Sequence, residues 1–162
     1  MKKTLLSIVL FLGFIAVVQA QEISQNAIGI RVGDNDGFGT EVNYQRALGD
    51  HNRLELGLGW RSANNFNAIR LTGLYQWVWR LDGNFNWYAG AGAAGGFFNF
   101  DNDFVDDNTS ESFLNAAGTI GIEYNFDIPL LLSLDFSPEI GILNDVDDSL
   151  EFDIALGIRY QF

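Results

Sequence analysis

Apolar and polar residues alternate along this chain with a period of two. The run 152–162 shows it most clearly: Phe152, Ile154, Leu156, Ile158, Tyr160 and Phe162 alternate with Asp153, Ala155, Gly157, Arg159 and Gln161. A period of two predicts a β-strand with one apolar and one polar face. Eight such segments separate at turn-forming residues: 27–33, 38–48, 53–61, 67–81, 85–100, 113–126, 130–142 and 150–162. The connections are DNDG at 34–37, GDHN at 49–52, a short loop through Asn64 and Asn65, Asp82-Gly83-Asn84, the longest loop at 101–112, Asp127-Ile128-Pro129, and 143–149. Pro138 lacks an amide hydrogen, so the seventh segment needs a bulge or an unpaired position there. Helix-period segments are absent between these strands.

The order of the connections carries topology. With both ends of the barrel chain on one side, the first, third, fifth and seventh connections lie on the other, and the two long ones both fall in that set. Short turns on one side and longer loops on the other are the pattern of outer-membrane barrels, with both termini periplasmic. Aromatic residues repeat the division. Tyr44, Trp77, Trp79, Phe85, Trp87, Tyr124, Phe126, Tyr160 and Phe162 lie near the short turns; Phe38, Trp60, Phe97 and Phe152 lie at the opposite ends, with Phe66 and Phe113 close by. Two aromatic girdles around an aliphatic band are what two membrane interfaces select. A soluble lipocalin-type barrel, apolar inside, gives its aromatic residues no reason to cluster at strand ends. The expected fold is therefore all-β, an eight-stranded antiparallel up-and-down transmembrane β-barrel.

Residues 1–20, MKKTLLSIVLFLGFIAVVQA, read as a signal peptide: two lysines, an apolar run and a small-residue cleavage site after Ala20. Residues 21–162 form the barrel domain. Both lysines of the chain lie in the signal, which leaves seven arginines against 21 acids, a net charge of −14. That sign excludes nucleic acid as a partner. The absence of cysteine excludes disulfides and thiolate metal sites.

Over essentially all of 21–162 the chain resembles the small outer-membrane proteins of the OmpA/OmpX type. Gly157-Ile158-Arg159-Tyr160-Gln161-Phe162 is similar to the C-terminal signal read by the barrel-assembly machinery, with Ala155 where that pattern carries a polar residue. The resemblance implies outer-membrane lipids and lipopolysaccharide as surroundings, and the assembly machinery as a partner during biogenesis. A monomer is expected, with a dimer as the alternative.

The polar face places Arg31, Glu41, Glu55, Arg61, Arg70, Glu123, Asp135 and Arg159 in the lumen, with Arg53, Arg80, Glu139, Glu151 and Asp153 on the same face. An eight-stranded interior is just filled by side chains, so these charges predict a paired, plugged core. Glu41 is expected near Arg61, and Arg159 near Glu123 or Asp135. A narrow ion or small-solute pore is the alternative reading. A lipid-modifying enzyme is the weaker one: some eight-stranded outer-membrane proteins are lipid A acylases or deacylases using Ser and His. Here the single histidine, His51, falls in a tight turn, and Ser133 and Ser137 face inward. No catalytic residue, cofactor or metal site is assigned. The acidic loops, with Asp101, Asp103, Asp106, Asp107 and Glu111 in one and Asp145, Asp147 and Asp148 in the other, lack the glycine and final glutamate of an EF-hand. On the outer wall, Gly73, Ala93, Gly95, Ala116 and Gly118 mark a shallow strip of small residues. It is a candidate docking groove for an acyl chain or a second barrel, or else a site of strand curvature.

Overall fold

The structure, a computed structural model, describes residues 23–33, 39–63, 66–100, 109–143 and 150–162. The signal segment 1–20, the turn at 34–37, the loop at Asn64 and Asn65, Phe38 and most of both acidic loops lie outside the described residues. Eight strands follow one another: β1 Asn26–Val32, β2 Thr40–Ala47, β3 Asn52–Ala63, β4 Phe66–Asp82, β5 Phe85–Phe100, β6 Thr109–Asn125, β7 Leu130–Leu143 and β8 Leu150–Gln161. Each pairs antiparallel with the next, and β8 closes on β1 to make a barrel. The transmembrane barrel read from the alternation is the fold.

Register sets the width of the lumen. Following Cα partners from Ala27 through Gln45, Glu55, Leu74, Gly92, Ala117 and Glu139 leads to Glu151 on β8. The direct β8 partner of Ala27 is Gln161, ten residues further along. A stagger of ten over eight strands corresponds to a strand tilt of about 40° and a backbone radius of about 8 Å. Side chains reaching inward from opposite walls of so narrow a cylinder must meet.

The two faces divide by parity. Inward positions hold most of the buried groups, while Leu71, Leu156 and Ile154 on the outside are 60%, 58% and 66% exposed. An apolar exterior of this extent suits hydrocarbon rather than water. Rings pack around its turn end: Trp79 stacks on Trp87 at 4.3 Å, and Tyr124 meets both Phe85 and Phe126 edge-on. At the loop end Phe136 stacks on Phe152.

Two details differ from the reading of the alternation, and a third meets the expectation at Pro138. First, β6 starts at Thr109, inside the expected loop, because 109–112 pair with 97–100 of β5. Second, Phe113 is not part of the outer girdle. It turns toward the lumen beside Gly96, where a side chain at 96 would collide with its ring. Third, Pro138 pairs with Phe152 on β8, while the ladder to β6 skips Gly118 and Thr119. A residue with no amide hydrogen is thus accommodated by a gap on one side. In the turn after β4, Gly83 takes the left-handed conformation (φ 53°) that favours glycine.

Candidate functional site

The lumen is where the chain has concentrated its chemistry. Among the described residues it buries Arg31, Arg53, Arg70 and Arg159 with Glu41, Glu55, Glu123, Asp135, Glu139 and Asp153. Charges removed from water are tolerated only when paired and hydrogen-bonded, and these charges pair in two groupings.

Nearer the loop end, Arg31 is the hub. Its Nε and Nη2 donate to Asp135 Oδ1 at 3.0 and 2.7 Å, Nη2 also lies 2.8 Å from Asp153 Oδ2, and Nη1 lies 3.6 Å from Glu41. Asp135 takes a further hydrogen bond from the Tyr88 hydroxyl at 3.2 Å. Arg70 bonds Glu139, which also accepts from Asn115, and its Nε stands 3.9 Å from Glu41. Nearer the turn end, Arg53 pairs with Glu123 at 2.8 Å, donates to Gln76 at 2.6 Å and lies over the Tyr88 ring at 4.8 Å. Arg159 donates to Asn43 at 3.0 Å and Ser133 at 2.7 Å and pairs with Glu55 at 3.3 Å. Glu55 also accepts from Gln45. Toward the turn end Ala27, Val78 and Leu131 are buried.

The structure corrects the partner expected for Arg159. Glu123 belongs to Arg53 and Asp135 to Arg31; Arg159 crosses the lumen to Glu55 instead. In a barrel this narrow, long side chains find partners across the interior as readily as on adjacent strands. Glu41 lies opposite Gly59 in register. The side chain of Arg61, its expected neighbour, lies outside the described residues. Arg80, on the same parity, is exposed at the mouth and donates to the Gly83 carbonyl. Glu151 sits at the loop end of the inward row, in register with Glu139. Tyr88 and Gln76 were missed as lumen residues, although strict parity with Asn86 and Arg80 would have found them.

The serines have structural partners. Ser133 accepts from Arg159, and Ser137 accepts from Arg31 at 3.2 Å. His51 lies in the turn between β2 and β3, where its carbonyl accepts from the Val78 amide. No cluster of three or more metal-ligating side chains occurs among the described residues.

On the outer wall, Gly73 lies beside Ala93 and Leu71 beside Gly95, as the turn at 82–84 sets them. Across to β6, a loop at 101–112 between the strands predicts Gly95 and Ala93 near Gly118 and Ile120; instead Ala93 faces Ala116, Ala91 faces Gly118 and Gly95 faces Leu114. The shift follows from β6 starting early, which lengthens the hairpin. The strip is partly covered, since Leu56 reaches over Gly73 and Pro138 over Gly118.

Several solved structures share this eight-stranded barrel fold. The N-terminal β-barrel domain of Pseudomonas aeruginosa OprF superposes with a TM-score of 0.64 at 18% identity, covering 86% of this chain and 100% of that one. The fold is that of the small OmpA/OmpX-type barrels. Neisserial surface protein A gives a TM-score of 0.61 at 11% identity, over 85% and 94% of the two chains. The attachment invasion locus protein Ail of Yersinia pestis gives 0.58 at 17%, over 86% and 97%. No protein-family model matches the sequence. No curated protein matches it either. OmpA/OmpX-type barrels thus share this chain's wall while differing from it at most positions, which leaves the role to its own residues.

Proposed function

We propose that the protein is an outer-membrane barrel with both termini periplasmic, non-enzymatic and non-conducting, serving a structural or surface-interaction role. The observation that carries this reading is the filled lumen. A cavity within the loop-end grouping, lined by Arg31, Glu41, Arg70 and Glu139 among others, measures only about 20 Å³. The larger space, about 610 Å³, is an open vestibule at the turn end beside Ser24, Gln25, Asn125 and Gln161.

A closed interior leaves the loop end as the working surface. There β3 to β6 rise past the short β1 and β2, and β6 residues 109–112 pair with β5 while no described strand flanks their other edge. Ail has been seen with the heparin analogue sucrose octasulfate. The acidic loops of this chain oppose a polyanion of that kind and favour neutral or cationic partners. Purified protein inserted in planar bilayers is expected to give no unitary conductance steps. Regular steps would overturn the non-conducting assignment, and turnover of labelled lipopolysaccharide the non-enzymatic one.

A further inference from the structure

The aromatic girdle at the turn end is broken on one side. From β4 to the end of β6 its outward positions are rings, among them Trp77, Trp79, Trp87 and Tyr124. On β1 to β3 polar residues stand at the turn end instead: Asn26, Arg46 and Asn52, with Asn26 directly opposite Arg46 in register. Tyrosines border this gap. Tyr44 lies beside it on β2, and the Tyr75 hydroxyl accepts from Asn52.

Arg46 is held in the gap. Its Nη1 donates to Asn26 Oδ1 at 2.7 Å, and the Tyr44 hydroxyl donates to the same oxygen at 2.7 Å. Asn26 is itself fixed, since its backbone N–H donates to the Phe162 carbonyl at 3.0 Å and its carbonyl accepts from the Phe162 amide at 2.9 Å. Yet no carboxylate among the described residues pairs with the exposed guanidinium. Arg31, Arg53, Arg70 and Arg159 are all drawn into the lumen, and Arg80 shares their parity. Arg46 is thus the exposed cation of the outer wall among the described residues.

Depth decides what can meet it. Leu48, the next residue of the same parity toward the turn, is 56% exposed. Arg46 therefore lies among the last apolar residues rather than beyond them, at the level of the lipid headgroups. The anion that every phospholipid carries at that level is its phosphate. A guanidinium anchored through Nη1 keeps Nε and Nη2 for two oxygens of one phosphate.

We propose that Asn26, Tyr44 and Arg46 form a binding site for the phosphate of a phospholipid in the periplasmic leaflet, with Arg46 as the phosphate ligand and Asn26 as the residue that aims it. The site rests on the outer-membrane placement given under Proposed function. The Tyr44 hydroxyl is committed to Asn26, so it positions rather than binds. A single headgroup on an exposed arginine adds little to stability, so occupancy is read by proximity.

The test is ¹³C–³¹P dipolar recoupling by solid-state NMR on arginine-labelled barrel in bilayers of phosphatidylethanolamine and phosphatidylglycerol, in phosphate-free buffer. The Arg46 Cζ signal, assigned by its loss in Arg46→Gln, is expected to dephase against lipid phosphorus while those of the lumen arginines do not. Asn26→Ala keeps the charge at the same depth and is expected to lose most of that dephasing. Undiminished dephasing in folded Asn26→Ala would mean an arginine that merely lies at the interface, and overturns the site. Absence of dephasing in the wild type overturns it as well. So does suppression by millimolar inorganic phosphate, which marks a general anion site. If Asn26→Ala does not fold, the nearly isosteric Asn26→Asp sets a carboxylate directly on Arg46 and is expected to abolish the contact; unchanged dephasing there refutes the site. A chain that fails to float with lipid vesicles refutes the membrane placement itself, whereas one that inserts without the Arg46 contact refutes only the lipid site.

Discussion

Arg159 on β8 reaches Glu55 on β3 with 3.3 Å between Nη2 and Oε2, although β1 and β2 stand between the two strands along the wall. The contact is fully buried and reinforced by Asn43 and Ser133. Removing one partner of a buried pair costs about 3–5 kcal/mol, because the other charge stays buried. Arg159→Leu is therefore expected to lower the denaturant midpoint for unfolding from lipid vesicles. Combining it with Glu55→Gln should recover part of that loss. With Glu123→Gln, which belongs to Arg53, the two losses should simply add. Recovery with Glu123→Gln instead would show that Arg159 pairs with Glu123 on β6 rather than with Glu55 on β3.

Arg31 contacts three carboxylates, Asp135, Asp153 and Glu41. Arg31→Leu leaves all three without their shared cation, so its cost should be at least the roughly 3–5 kcal/mol of a single broken pair. Arg46 makes the useful control. It is exposed on the outer wall at the turn end, where its Nη1 and the Tyr44 hydroxyl both donate to Asn26 Oδ1. A charge at a membrane interface costs about 0–1 kcal/mol, so Arg46→Leu should be nearly silent in the same assay. Equal losses for the two arginines would mean that the lumen network contributes nothing special.

The wall and lumen differ in how far the sequence reveals them. Strand number, inside and outside, and the girdle at the turn end follow from parity, since a one-residue slip would turn every strand inside out. The pairing Gly73–Ala93 was legible because Asp82-Gly83-Asn84 is a tight turn with one register. The pairing Ala93–Ala116 was not, because 101–112 do not reveal where β6 begins. Arg159–Glu55 was hidden for another reason. Parity says that a side chain points inward, but its partner depends on barrel stagger and on how far an arginine extends across the lumen. Gly157 is part of that answer: a Cβ there would lie 2.5 Å from Ser133 Oγ and 2.7 Å from Arg159 Nη1.

An apolar wall with a polar, paired core should give a barrel that keeps its shape in detergent until heated. Folded protein is expected to show almost entirely β-type circular dichroism, and unboiled and boiled samples should migrate differently on a denaturing gel. A well-folded monomer that stays soluble without detergent would end the membrane reading.

The outer strip of small residues separates two explanations by where the tight contacts lie. Residues 89–96 of β5 read AGAGAAGG, with Gly90, Gly92 and Gly96 on the inward side. A Cβ at Gly90 would lie 2.7 Å from the Tyr75 carbonyl, and one at Gly92 would run into the carbonyl of Gly73. Small residues there let β5 press against β4, which is what a strongly curved wall requires. The outward residues Ala91, Ala93 and Ala116 are exposed and meet no such limit. Gly92→Ala is therefore expected to destabilise the barrel by about 1–3 kcal/mol, the usual penalty for overpacking. Ala93→Leu with Ala116→Leu should leave folding, native mass, crosslinking and bound lipid unchanged. Loss of a dimer or of a retained lipid in that double variant, with folding intact, would instead make the strip a docking groove.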